Sequence, residues 1–286
     1  MEVEQSEKSS NSELKFRNYN FPEKIYFPDF ITKLTIINCK LYSFKNFPEL
    51  NNLIYLNVSY NFINSFEGLP SYKKLKEFDC SYNCLSSFIN IPALLSLKIL
   101  NADNNNFSNF EGIYKIPNLE DLSIKYNLFN SFKNLYVLVN LKFININCNN
   151  ISSFSDFPEL QKLEKLYCNF NKIKSFEYLL TENLRELQII NSGIESLENF
   201  INFKNLEIIN CEKCPLKTLF HIIYIKKLKK INFDFNTILL QNTIADLTND
   251  DLKNKFKSKC LKIFIKNLNS KNQDEESSIL RHLKLI

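Results

Sequence analysis

Tryptophan is absent from this 286-residue chain, methionine occurs once, histidine twice and glycine three times. Three glycines leave no Gly-rich loop to wrap a phosphate, and no nucleophile motif takes its place. The histidines, His221 and His282, stand at no metal-ligand spacing from the CxxC pair Cys211 and Cys214, so no metal is expected. No segment is apolar for long enough to span a bilayer. Met1 to Glu13 carries Glu2, Glu4 and Glu7 and lacks the basic start and apolar run of a signal peptide. These absences predict a soluble protein of the cytoplasm or nucleus that is not an enzyme, holds no cofactor, acts on no small-molecule substrate and has no membrane partner.

What the sequence does hold is apolar: hydrophobic residues make up 44% of it, with 26 Phe and 13 Tyr. Phe, Ile, Asn, Lys and Tyr have the codons richest in A and T, so their abundance reads first as nucleotide skew. Eight cysteines in an intracellular compartment are expected to be free thiols.

The chain also repeats itself. In Leu53-Ile-Tyr-Leu56-Asn-Val58-Ser-Tyr-Asn61-Phe-Ile63-Asn-Ser-Phe66 apolar residues alternate and an Asn follows. The first central apolar position recurs at Leu34, Leu56, Phe78, Leu100, Leu122, Ile144, Leu166, Leu187, Ile209 and Ile231, in steps of twenty-two residues with one of twenty-one. The Asn recurs at Asn61, Asn83, Asn105, Asn127, Asn149, Asn171 and Asn236, with Cys39, Ser192 and Cys214 as substitutes. Cys80, Cys168 and Cys211 fall on core positions two residues after the central one, so the CxxC pair is one core residue and one member of the Asn series. A column of Phe44, Phe66, Phe88, Phe110, Phe132, Phe154 and Phe176, continued by Leu197 and Leu219, predicts a buried spine. Phrases such as Phe66-Glu-Gly-Leu69-Pro and Phe110-Glu-Gly-Ile113 lead into Pro-marked stretches with room for about one helical turn.

Over roughly residues 25 to 240 the pattern resembles the leucine-rich-repeat consensus LxxLxLxxNxL. The "EGL" phrase is similar to the class that holds the leucine-rich regulatory subunit of protein phosphatase 1, the spliceosomal A-prime protein and bacterial internalins. The resemblance implies an α/β fold, a curved leucine-rich-repeat solenoid of about ten repeats with a parallel concave sheet and short helical or 3-10 turns on the convex side. It also implies that the recurring Asn amide bonds backbone groups of its own and the neighbouring turn. The expected organisation is a disordered tail over 1–13, an amino-terminal cap over 14–33, repeats over 34–240 and a helical carboxy-terminal cap over 241–286. That last assignment rests on Thr248-Asn-Asp-Asp251 as a helix start, followed by apolar residues at helical spacing.

In this geometry the residues flanking the central position face the concave surface. Their columns are polar, with Asp79, Asp103 and Lys125 among them, and then aromatic, with Tyr60, Tyr82, Tyr126, Phe170 and Phe235, while Tyr167 adds a ring to the first. Aligned rings on a rigid sheet read as anchors for a protein partner; the alternative is that they pack on each other and owe their number to codon skew. The second functional expectation is RNA or ribonucleoprotein contact through Lys255, Lys257, Lys259 and Lys262 on the carboxy-terminal helix, with the +5 net charge in its favour.

Overall fold

The structure, a computed structural model, describes residues 12–18, 27–234, 251, 254, 255 and 258. The tail over 1–11, Phe235, Asn236, Lys257, Lys259, Lys262 and most of the carboxy-terminal cap lie outside the described residues. The chain divides into two compact units, Met1–Asn150 with Asp156–Leu163, and Ile151–Ser155 with Glu164–Ile286.

In the first unit seven strands pair in parallel in sequence order: β1 (Glu13–Arg17), β2 (Lys33–Ile37), β3 (Tyr55–Asn57), β4 (Glu77–Asp79), β5 (Ile99–Asn101), β6 (Asp121–Ser123) and β7 (Phe143–Asn145). In the second, β8 (Lys165–Tyr167), β9 (Glu186–Gln188), β10 (Ile208–Asn210) and β11 (Lys230–Asn232) do the same. The register sets Leu34 against Leu56, Phe78, Leu100, Leu122 and Ile144 in turn, the series read from the sequence. The fold is a leucine-rich-repeat solenoid. In each of the three-residue strands the central side chain points inward and is buried. One repeat cannot bury that residue alone, and stacking buries it.

Strand β1 lies inside the stretch assigned to the amino-terminal cap. It pairs Leu14 with Leu34 and Phe16 with Ile36, at an offset of twenty residues. Because the step is shorter than the repeat, the periodicity did not reveal this strand.

The described asparagines of the series, Asn61, Asn83, Asn105, Asn127, Asn149 and Asn171, are buried, and those of the first unit form a hydrogen-bond ladder. The Asn61 Nδ2 donates to the carbonyls of Ile36 at 2.8 Å, Val58 at 2.9 Å and Ser59 at 3.1 Å, and its Oδ1 accepts from the N–H groups of Cys39 and Leu41. Asn83, Asn105, Asn127 and Asn149 repeat the arrangement, each donating twenty-five residues back and accepting from an N–H twenty residues back. Each of these turns thus has polar backbone atoms satisfied away from water, where an orphaned group costs about 1–3 kcal/mol. In the second unit the Cys214 thiol donates to the Ile189 carbonyl at 3.0 Å, the backbone bond that an amide makes elsewhere. Cys80, Cys168 and Cys211 are fully buried, and burial raises each thiol above its ordinary range.

Behind the strands lies the expected Phe spine, Phe44, Phe66, Phe88, Phe110 and Phe132 in the first unit and Phe154 and Phe176 in the second, fully or almost fully buried. It is more than one column. Phe107 and Phe129, two residues beyond ladder positions, enter it: Phe107 stacks on Phe88 at 4.2 Å and Phe129 lies tilted against Phe110 at 4.5 Å. Outer segments are brief: 3-10 turns at Ile113–Lys115 and Leu135–Val137 in the first unit, and at Glu198–Asn202 and Phe220–Tyr224 in the second. Gly112 enters the first of these at φ 92°, and a Cβ there would sit 2.4 Å from the Phe88 carbonyl carbon. Only glycine fits both demands.

Candidate protein interface on the strand face

Where each strand of the first unit ends, the chain turns through one residue in the left-handed region: Asn18, Asn38, Tyr60, Tyr82, Asn104, Tyr126 and Cys148, all with φ between 53° and 56°. The second unit has Phe170, Asn191 and Lys213 at the same step. The cause is continued pairing beyond the strand. The N–H of Tyr60 donates to the Ser81 carbonyl at 3.1 Å, that of Tyr82 to Asp103 at 2.9 Å and that of Tyr126 to Asn147 at 2.9 Å, which holds the backbone in a conformation that costs an L-residue roughly 1–2 kcal/mol.

In the first unit these left-handed residues form a ridge along the edge of the sheet. Tyr60 is 52% exposed, Tyr82 43% and Tyr126 55%. The rings of Tyr60 and Tyr82 stack at 4.1 Å with 8° between their planes. A hydrogen bond to the neighbouring side chain, Tyr82 for Tyr60 and Cys148 for Tyr126, is the main cause that raises the pKa of those two phenols. Just beyond the ladder, Phe62 is also exposed and stacks on Tyr42 at 5.3 Å. Tyr42 and Phe62 were not singled out in the sequence, because the repeat assigns their positions to no face. Asn104, between Tyr82 and Tyr126 in ridge order, buries its Nδ2 without an acceptor.

The polar columns depart from the expectation that they lie open. The side-chain carbonyl of Asn57 accepts from the Ser59 N–H at 2.9 Å, and Asp79 accepts from both the N–H and the hydroxyl of Ser81 at 2.9 and 2.6 Å. These are Asx turns that shape the bend after each strand. Asp103 was expected to face a partner and is corrected: it is 4% exposed. Its Oδ1 accepts from the Ser123 hydroxyl at 2.7 Å and the Lys125 N–H at 2.8 Å, and the Lys125 ammonium lies 3.3 Å from its Oδ2. Burial raises its pKa, with those hydrogen bonds opposing. Lys125 is therefore a half-exposed residue committed to an internal ion pair.

In the second unit Phe170 is exposed as expected. Tyr167 is half-buried, and its hydroxyl donates to Glu186 at 2.8 Å; burial and then that carboxylate push its pKa up to about 12. It is a structural ring rather than a free one. Of the proposed nucleic-acid contacts only Lys255 is described, and its ammonium pairs with Asp251 at 2.7 Å. Among the described residues no cluster of His, Cys, Asp and Glu is arranged to hold a metal, all described cysteines are free, and no helix is long and apolar enough to cross a membrane.

No family model matches the chain, and no curated protein matches it. Solved structures do. An internalin, inlF of Listeria monocytogenes, superposes with a TM-score of 0.66 at 19% identity, over 72% of this chain and 61% of that one. A second internalin of the same species, C2, gives 0.58 at 27% identity over 63% of this chain and 80% of its own. The chain thus spans about three fifths of the inlF structure, and what the likeness shows is the leucine-rich-repeat fold.

Proposed function

We propose that this chain is a non-catalytic scaffold that binds a protein on the strand face of its first unit, with Tyr60, Tyr82 and Tyr126 as the anchoring rings. One observation carries the reading: the ridge backbone favours Asn, which the chain itself uses at Asn18, Asn38 and Asn104, yet tyrosine stands at three of the seven positions. Asn tolerates the left-handed region better than a bulky ring does. Codon skew does not account for the choice, since Asn codons are as rich in A and T as those of Tyr. Tyrosine there costs backbone energy and returns exposed, pre-aligned aromatic surface, the material of interface hot spots. The internalin-like fold supports the same reading, since a rigid solenoid presents an extended binding surface.

Cytoplasm or nucleus remains the proposed location, supported by the free, buried thiols that bond backbone carbonyls as a reducing compartment permits. Sequence resemblance names a phosphatase catalytic subunit as the first partner to look for. The test is affinity capture from native lysate followed by mass spectrometry, with Tyr60→Ala/Tyr82→Ala and, from the outer face, Tyr136→Ala. A partner retained by Tyr136→Ala and lost by the double variant is the expected result. Equal retention by both variants contradicts the proposed face.

A further inference from the structure

Charge on the strand face of the first unit is sorted by strand. β1 and β2 present Lys15, Arg17 and Lys33 against a single carboxylate, Glu13, which Lys15 already meets at 3.1 Å. Arg17 and Lys33 are exposed and have no ion-pair partner among the described residues. The next strand is neutral, with Tyr55 and Asn57 joined by an Nδ2-to-hydroxyl bond of 3.2 Å. On β4 the sign reverses, with Glu77 exposed and Asp79 half-buried beside it. Nearby cations do not cancel it from the face: Lys98 is drawn to Glu120 at 3.0 Å and Lys125 to Asp103, while Lys76 precedes the strand at its entering edge. Lys15, Arg17, Lys33 and Glu77 line one shallow depression of about 330 Å³, with Thr35 and Tyr55 between them.

We propose that this depression takes a protein segment whose charges run in the complementary order, acidic over β1 and β2 and basic over β4. The inference rests on the interface reading above and adds the chemistry of the partner. A nucleic acid fits poorly, because its phosphates recur about every 3.4 Å along a strand and would be driven onto Glu77 and Asp79. A uniformly acidic or uniformly basic peptide meets the same conflict at one end. Neighbouring strands lie about 4.8 Å apart, so the two charged zones are separated by roughly 10–14 Å, which an extended segment spans in about three or four residues. A helix covers the same distance in about two turns. Tyr55, at the neutral centre, offers an apolar ring to whatever lies between the charges.

The experiment is a selection of short random peptides on the full chain, on Arg17→Glu/Lys33→Glu and on Glu77→Lys, all surface changes that leave the core alone; circular dichroism checks each fold. The intact chain is expected to enrich peptides with acidic residues three or four positions, or two helical turns, from basic ones. Synthetic copies should bind up to about fivefold more weakly for each pairing removed, and more weakly as salt is raised. The double variant should cease to select the acidic block and Glu77→Lys the basic one. Enrichment of uniformly charged or uncharged peptides, the same sequences from all three chains, no enrichment, or tighter binding of a single-stranded RNA overturns the proposal. A native partner lost by Tyr60→Ala/Tyr82→Ala but held fully by Arg17→Glu/Lys33→Glu defeats only the charge order. If it is held fully by every one of these variants, the interface reading fails as well.

Discussion

The first unit exposes large side chains on two sides, and it holds them differently. On the outer side Tyr114 and Tyr136 stand on 3-10 turns at 62% and 65% exposure, with neither ring stacked on another among the described residues. At the strand edge Tyr60 and Tyr82 are less exposed, stacked on each other, and fixed by inter-repeat hydrogen bonds in a backbone conformation that tyrosine does not favour. Exposure alone ranks the outer rings first. Pre-organisation ranks the strand edge first, because a ring already immobilised loses little entropy on binding.

The turns on both sides bend sharply by different means, and breaking each should show it. The largest effect is expected from Asn127→Leu, which strips the carbonyls of Ala102, Ile124 and Lys125 and the N–H of Phe107 of their partner. At roughly 1–3 kcal/mol per orphaned group the loss should reach several kcal/mol, whereas Asn130→Leu, exposed three residues on, should shift stability by within about 0.5 kcal/mol. Chemical denaturation of both reads the difference, and equal midpoints would mean that the register is wrong.

Gly112→Ala tests the outer turn. Positive φ and the 2.4 Å approach to the Phe88 backbone should together cost about 2–4 kcal/mol. A thermal midpoint unchanged from the parent chain would show that the turn relaxes freely.

Tyr82→Asn separates structure from function at the ridge. Asparagine suits the left-handed position, so stability should stay within about 0.5 kcal/mol while partner affinity falls by tenfold or more, as for a hot-spot ring. A variant that binds normally would leave the stacked rings with a packing role only.

The smallest effect lies on the entering edge of the sheet. Glu120 sits between Lys142 at 2.6 Å and Lys98 at 3.0 Å, and hydrogen bonds from these two, Lys142 first, lower its pKa from 4.5 to about 2. A folded pKa below the unfolded one means that the contribution is present above pH 4.5 and is lost as pH falls toward 2. A carboxyl NMR titration at low salt should give a midpoint near 2 that climbs with added salt; an ordinary glutamate midpoint at low salt would dissolve the triad.

The strand register, the ladder and the spine were legible because each ties one kind of chemistry to one spacing: an amide for a buried turn, an apolar centre for each strand, a Phe behind it. β1 escaped because its step to β2 is twenty residues. The left-handed ridge escaped because tyrosine announces no such conformation, and only its periodicity pointed to the edge. Asp103 was misplaced because strand alternation was extended past the strand's end, where an acid in the bend turns inward to serve the next repeat.

Hydrogen–deuterium exchange of the chain with and without its captured partner tests the central claim most directly. Protection confined to residues 55–60, 77–82 and 121–126, with 113–116 and 135–139 unchanged, is the predicted result. Protection of the outer turns with the strand edge unchanged would contradict it.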